Sequence, residues 1–413
     1  MCALGSTLAS AQSDPNTQTN NVLPAAFSTK VGIPSNETSA ALDIVRQISE
    51  ARRLLSARQT SGVSHDQVSL AAFDPATSQT RVFSFAKSEF LIKDADLLAT
   101  AQPGGPVRVH VVRANGVNTA VTVTDVSSGR SLVPLLVQFP IVKGGAVTEM
   151  AYYTSAHPAL LSSAITSAGQ TYVRQMLDAA AARMAQGGVA ISPDIVDVAE
   201  HLCIVEHTDH KRFMNEDQAV LFPEILSLYA LNEGNTFRYS VSTAGAGGMI
   251  QMIPRTYEGI RQQHPDVSLQ PDFVTGMRDH ANALEAMLLY MNDTWNKLAE
   301  SAVVQNALRN GIATKPELLA AGYNSNPGRL PLYVKNGGDG WRTLIPAETQ
   351  MYLKIYSAVD KTLDLGPDSS VDGTGKGAQV SGSVTRPLGT AAVLSWLSQS
   401  LSIASPFFGG LMK

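Results

Sequence analysis

The hydrophobic period changes midway along the chain from that of strands to that of helices, and that change constrains the fold more than any single motif does. Between about Val68 and Tyr153 the pattern is alternation, in "RVFSFA", "VRVHVVRA", "TAVTVTDV" and "LVPLLVQFPIV", with Gly, Asn, Asp and Ser turns between the runs. Period-two runs rich in Val and Thr fit strands with one buried face, so residues 67–155 are expected to form a small antiparallel sheet or sandwich. From about Gln170 the period lengthens to that of a helix. "QTYVRQMLDAAAARMAQGG" closes on glycines, and "SPDIVDVAEHLCIVEH" opens with Ser192 as N-cap and Pro193 at the first helical position. "DHANALEAMLLYMNDTWNKLAE" carries Ala281, Leu284, Leu288, Met291, Trp295 and Leu298 at three-four spacing, a core stripe. Strands first and helices afterwards predict an α+β chain: a β-rich unit over 67–155 and a mainly α-helical one over 165–362.

At 413 residues the chain has room for two or three domains. A helical pattern from Ala41 to Gln59, with Leu42, Val45, Ile48 and Leu54 or Leu55 on one side, makes 41–66 a docking helix ahead of the strands. In residues 1–40, Ala9-Ser10-Ala11 has the spacing a signal peptidase accepts, without a positive n-region or a full apolar core. The start reads either as a truncated signal peptide or as a small-residue tail, followed by a polar disordered arm. Residues 363–413 read as a Gly/Ser-rich flexible linker and a weakly amphipathic tail that either touches a membrane or partner or packs on its own domain. A net charge of -4 with no Lys/Arg run argues against nucleic acid. Cys2 and Cys203 make no disulfide framework, and no apolar run reaches the roughly 18 residues of a transmembrane helix.

The stretch "STAGAGGMIQMIPRTY", Ser242 to Tyr257, has neither the Lys-Ser/Thr ending of a phosphate loop nor the spacing of a dinucleotide fingerprint. A turn feeding a helix at Pro254 explains its glycines and its proline but not Gln251, set between methionine and isoleucine. If buried unpaired, that amide would cost about 1 to 3 kcal/mol, and a polar ligand is one partner for it. Twelve positions before Gly245 lies Glu233, in "FPEILSLYALNEGNTFRYS". With Pro223 as a helix start and Gly234 as a C-terminal stop, Glu233 falls in the last turn, on the face of Ile225, Tyr229 and Ala230. There, desolvation and the negative end of the helix dipole both raise a carboxyl pKa, as a general acid for glycosidic cleavage requires. The plainer reading is a solvated glutamate at a helix end. Further on, "LLAAGYNSNPGRLPLYVKNGG" places Tyr323 and Asn324 before a Pro-Gly turn, and "IPAETQMYLKIYSAV" carries Glu348, Thr349, Tyr352 and Tyr356 on a helix.

In this order and spacing, the glutamate, "GAGGMIQMIPRT", "AAGYNSNPGRLP" and "IPAETQMYLKIY" resemble the motifs of the soluble, goose-lysozyme-like lytic transglycosylases, over about residues 192–360. The resemblance implies a lysozyme-like catalytic domain. It makes Glu233 similar to the single acid/base, Ser242 to the serine that orients groups near it, and Gln251 to the glutamine lining the glycan groove. Tyr323 and Asn324 match the pair facing the glutamate, and Tyr352 matches the aromatic of the last motif. Departures are Gly234 for the usual Ser, Ile253 for Met, Asn326 for Gly, and Phe237 one place late; they touch substrate placement more than the acid itself.

The implied reaction cuts the β-1,4 bond between MurNAc and GlcNAc in peptidoglycan and leaves 1,6-anhydroMurNAc ends, with no metal and no cofactor. It also implies a periplasmic or cell-envelope location, with glycan strands as partner. The β-rich unit shows no catalytic constellation and reads as a scaffold or as the surface for an envelope protein partner. A weak peptidoglycan-binding or assembly protein and a lysozyme-type hydrolase are the alternatives. In "HLCIVEHTDHKRF", Glu206 with His201, His207 and His210 invites a metal reading, but neither H-E-x-x-H nor H-x-x-E-H is present. Glu206 as the acid would lie far from the glycine loop for this family, and no second carboxylate stands out near the motifs.

Overall fold

The structure is a computed structural model that describes residues 35–59, 64–363 and 365. The readings for the start of the chain and for the linker and tail fall outside those residues, apart from Ser35 onward and the first positions after Thr362. Helix α1 (Ser35–Gln59) comes first. The strands are β1 (Gln67–Asp74), β2 (Gln79–Ala86), β3 (Asp96–Thr100), β4 (Pro106–Arg113), β5 (Ala120–Asp125), β6 (Ser131–Lys143) and β7 (Ala146–Tyr153), with the single-turn α2 (Lys87–Phe90) after β2. Then follow α3 (Ser163–Gln186), α4 (Pro193–Val205), α5 (His210–Asn215), α6 (Gln218–Asn232), α7 (Pro254–Gln263), α8 (Phe273–Arg278) and α9 (His280–Ala299). The last helices are α10 (Ala302–Arg309), α11 (Lys315–Asn324), α12 (Leu330–Gly337) and α13 (Ala347–Thr362). The order is α+β, as the change of period predicts.

All strand pairs are antiparallel, in the order β2-β1-β6-β5-β4-β3, with β7 also on β6. Val82 and Gln102 exchange backbone hydrogen bonds of 3.0 and 2.9 Å, tying β2 to the chain that leaves β3 and nearly closing the sheet. Closure matters because an open edge is a template for unwanted pairing. The inside is lined by Val68, Leu70, Phe83, Val107, Val109, Val111 and Val123. Buried Arg81 bridges Asp74 and Asp125, so its charge is paired across the unit. Outside, α1 lays Ala51 and Leu55 on Ala71, Val82, Leu135 and Leu136. Its buried face is Ala41, Val45, Ala51 and Leu55; Leu42, expected on that face, is exposed. This cover explains why β6 departs from alternation and is buried continuously from Pro134 to Pro140.

In the helical part the local signals hold where they are strongest. Helix α4 starts at Pro193 behind Ser192, and α7 starts at Pro254. Of the α9 stripe, Leu284, Leu288, Met291 and Leu298 are buried. Helix α6 differs from expectation. It begins at Gln218, capped by the Asp217 side chain on the Ala219 N–H, and Pro223 lies inside it. It is also buried almost all round rather than on one face, with Leu221, Phe222, Ile225, Leu226, Leu228 and Tyr229 in the core. At about 1.5 to 3 kcal/mol per fully buried large side chain, this helix is a principal source of stability, and it delivers Glu233 at its end. One continuous buried cluster joins the strand interior to α3, α4, α6 and α9.

Candidate active site

Glu233 is the residue that ends α6, one position beyond the last turn in which it was expected. Its backbone has φ 44° and ψ -125°, the left-handed side that a non-glycine residue rarely takes. The carboxyl is partly buried, and burial pushes its pKa up to about 6. Among the described residues it makes no hydrogen bond or ion pair, and burial is the cause of the shift. A carboxyl near 6 is protonated in about a tenth of molecules at pH 7, enough to act as an acid and, once ionised, as a base.

The backbone around Glu233 is fixed from both sides by the β-rich unit. The side chain of buried Asn232 pairs with Thr154 twice, accepting from its N–H at 2.7 Å and donating to its carbonyl at 2.9 Å. On the other flank, Tyr239 donates to Glu149 of β7 at 2.5 Å, Arg238 lies 3.3 Å from the same carboxylate, and Asn118 donates to Ser240 at 3.1 Å. The strands therefore scaffold the loop that carries the candidate acid.

The glycine loop is a tight knot of backbone. Ser242 N–H donates to Ala246 O at 2.8 Å, the Ser242 hydroxyl accepts from Ala246 N–H at 3.0 Å, and Gly247 N–H donates to Met252 O at 3.0 Å. Gly248, at φ 70°, lies against α8 so closely that a Cβ there would stand 2.2 Å from Met277 O. Met249 and Ile250 are fully buried beneath. Their carbonyls accept from His207 Nε2 at 2.9 Å and from the Tyr323 hydroxyl at 2.7 Å, which pins the loop from α4 on one side and α11 on the other. Gln251, at φ 46°, is half-buried and donates to Gly248 O at 2.8 Å, while Ser242 is exposed.

The remaining site residues form a second group. Asn324 Oδ1 accepts from the Thr349 hydroxyl at 2.8 Å. Tyr352 is buried and donates at 2.6 Å to Glu206, the residue that caps α4. Burial drives the Glu206 carboxyl up to about pKa 8; the Tyr352 hydrogen bond opposes this and the charge of Glu348 adds to it. Tyr323 senses the same carboxyl. The sequence distance that set Glu206 aside is thus corrected by the fold. The neighbouring His207 stacks on Phe237 at 3.5 Å between ring centroids and holds the glycine loop, so the end of α4 lies beneath that loop.

The histidines around Glu206 diverge. His201 packs on Tyr356 with Asp360 at 3.3 Å, His207 faces Met249, and His210 opens α5. Among the described residues no three His, Cys, Asp or Glu side chains converge as metal ligands, and no helix is long and apolar enough to cross a membrane. A hollow of about 420 Å³ between α10 and α12, lined by Ala302, Val303, Asn306, Ile312, Val334 and Gly338, includes none of the site residues. Comparison with protein-family models, curated proteins and solved structures returned no match.

Proposed function

We propose that the chain is a peptidoglycan lytic transglycosylase with a lysozyme-like helical domain, acting in the cell envelope. The observation that carries this reading is Glu233: an unpaired, half-buried carboxyl poised near pKa 6, at the end of the helix from which the chain leads into a pinned glycine loop. Protonated Glu233 gives its proton to the glycosidic oxygen as the C1–O bond breaks, and the substrate's own N-acetyl oxygen stabilises the electron-poor C1. The ionised carboxylate then takes the proton of the C6 hydroxyl as O6 bonds to C1. The acid is regenerated and a 1,6-anhydro ring closes without water, metal or cofactor. Gln251 and Ser242 would meet the glycan at the loop, with Tyr323, Asn324 and Tyr352 supporting the wall behind it.

Glu206 favours lysozyme-type hydrolysis as a second reading. It is a carboxyl beside Tyr323 and Tyr352, and glycosidases commonly use a pair. Digesting peptidoglycan with the protein and with Glu233→Gln, then weighing the fragments, tests both. Anhydro ends made only by the unmutated protein support the transglycosylase, and reducing ends lost in Glu206→Gln support the hydrolase. Cleavage by Glu233→Gln at the parent rate removes Glu233 from the chemistry, and co-sedimentation without fragments leaves glycan binding.

A further inference from the structure

Tyr172 lies on α3, upstream of Glu233 and of the motifs that carry the family resemblance. Its own proton affinity is raised first by burial and then by the charge of Glu233. The hydroxyl stands beside the Glu233–Gly234 turn: a Cβ on Gly234 would lie 3.9 Å from the phenol oxygen. The direction of that hydroxyl follows from its neighbours. His280 Nε2 is 2.8 Å from the Thr236 carbonyl, which can only accept, so Nε2 carries the proton. Burial lowers the His280 pKa to about 4, hence the ring is neutral at ordinary pH and Nδ1 is an acceptor. Tyr172, 2.9 Å from Nδ1, must donate to it. A phenol has a single proton, and with that proton committed its oxygen offers only lone pairs elsewhere.

We infer that Tyr172 and His280 are positioning residues for Glu233: His280, fixed in one tautomer by the Thr236 carbonyl, withholds the phenol proton and leaves an acceptor oxygen beside the Glu233–Gly234 turn. The inference rests on Glu233 being the acid of the site. An acceptor next to a carboxyl favours its protonated form, which is the form the leaving-group step consumes. Asp279 faces both Tyr172 and His280, and Arg238 faces His280; Asp279 raises the affinity of His280 for a proton, Arg238 lowers it, and burial outweighs both.

The test is a direct titration of Glu233 in the full chain by carboxyl-carbon NMR, with its signal identified by loss in Glu233→Gln. In His280→Leu the phenol is freed to donate to the carboxylate, and the Glu233 midpoint should fall by about one pH unit. The double variant Tyr172→Phe/His280→Leu has no phenol proton to give and should return to the midpoint of Tyr172→Phe alone. Tyr172→Phe removes one hydroxyl from a packed ring and serves even if His280→Leu fails to fold. Its midpoint should stay or fall slightly, whereas a rise would mean that the phenol donates to Glu233, overturning the inference. So would an unmoved midpoint in folded His280→Leu, or the same fall in the double variant. The readout is titration rather than turnover, so a protein that cleaves no peptidoglycan yet titrates as expected would sink the activity and spare the relay.

Discussion

Glu233 carries two costs that a residue kept only for folding would shed. A non-glycine residue at positive φ stores roughly 1 to 3 kcal/mol, and a carboxyl whose native pKa is about 6 against an ordinary 4.5 destabilises the fold once ionised. The sign follows from proton binding. Between pH 4.5 and 6 the unfolded chain releases this proton first, so stability falls as pH rises through that window. Glu233→Gln should therefore match the parent near pH 4 and exceed it by about 1 to 2 kcal/mol at pH 7 in denaturant titrations, while abolishing cleavage. Equal stability at both values would contradict the buried-acid description. In the active parent, kcat/KM should decline above about pH 6 as the acid form is lost. At this scale the sequence was informative about Glu233, because its helix stop and its spacing to the glycine loop are local. It named Glu206 and Tyr352 but not their meeting across 146 positions, and it did not pair Tyr172 with His280, 108 positions away. No periodic or capping signal reports such pairs.

Helix α3 crosses α6 at Gly169, where a Cβ would stand 1.8 Å from the Leu226 carbonyl oxygen. The two backbones approach that closely only because a side chain is missing. Gly169→Ala should cost about 2 to 4 kcal/mol by forcing the helices apart, and should lower cleavage as well, since α3 carries Tyr172 and α6 ends at Glu233. Thermal unfolding and peptidoglycan turnover of that variant check both. Gly248→Ala meets the Met277 carbonyl at 2.2 Å and a φ of 70° together, so it should unfold the glycine loop locally and abolish cleavage with little change in global melting. Element starts were legible where a proline takes the first helical position, as at Pro193 and Pro254. Pro223 suits a helix start, yet α6 begins five residues earlier at Gln218 and holds Pro223 inside it. The stronger signal was Asp217, whose side chain satisfies a free N–H five positions ahead of Glu224 and its run of core residues. Burial of β6 on both faces follows from α1 lying across it, a tertiary fact that alternation alone does not encode.

On the scale of the whole molecule, the strands and helices share one core, and the strands hold both flanks of the candidate acid. Asn232→Ala would leave the buried Thr154 N–H and carbonyl without partners, at about 2 to 4 kcal/mol, and should lower kcat more than it changes KM. Glu149→Gln weakens the other flank at Arg238 and should act in the same direction with a smaller loss of stability. Normal turnover in both variants would mean that the strands serve some purpose other than supporting the site. The Asn232–Thr154 pair also joins positions 78 residues apart. A contact of such long range carries a loop-closure cost before it contributes, so this side-chain pair is expected late in folding. Helices and strands can be in place while the backbone of Glu233 is still free to swing. Under the proposed activity, circular dichroism should recover first during refolding from denaturant and peptidoglycan cleavage later, leaving a folded-looking interval in which the candidate acid is not yet held in place.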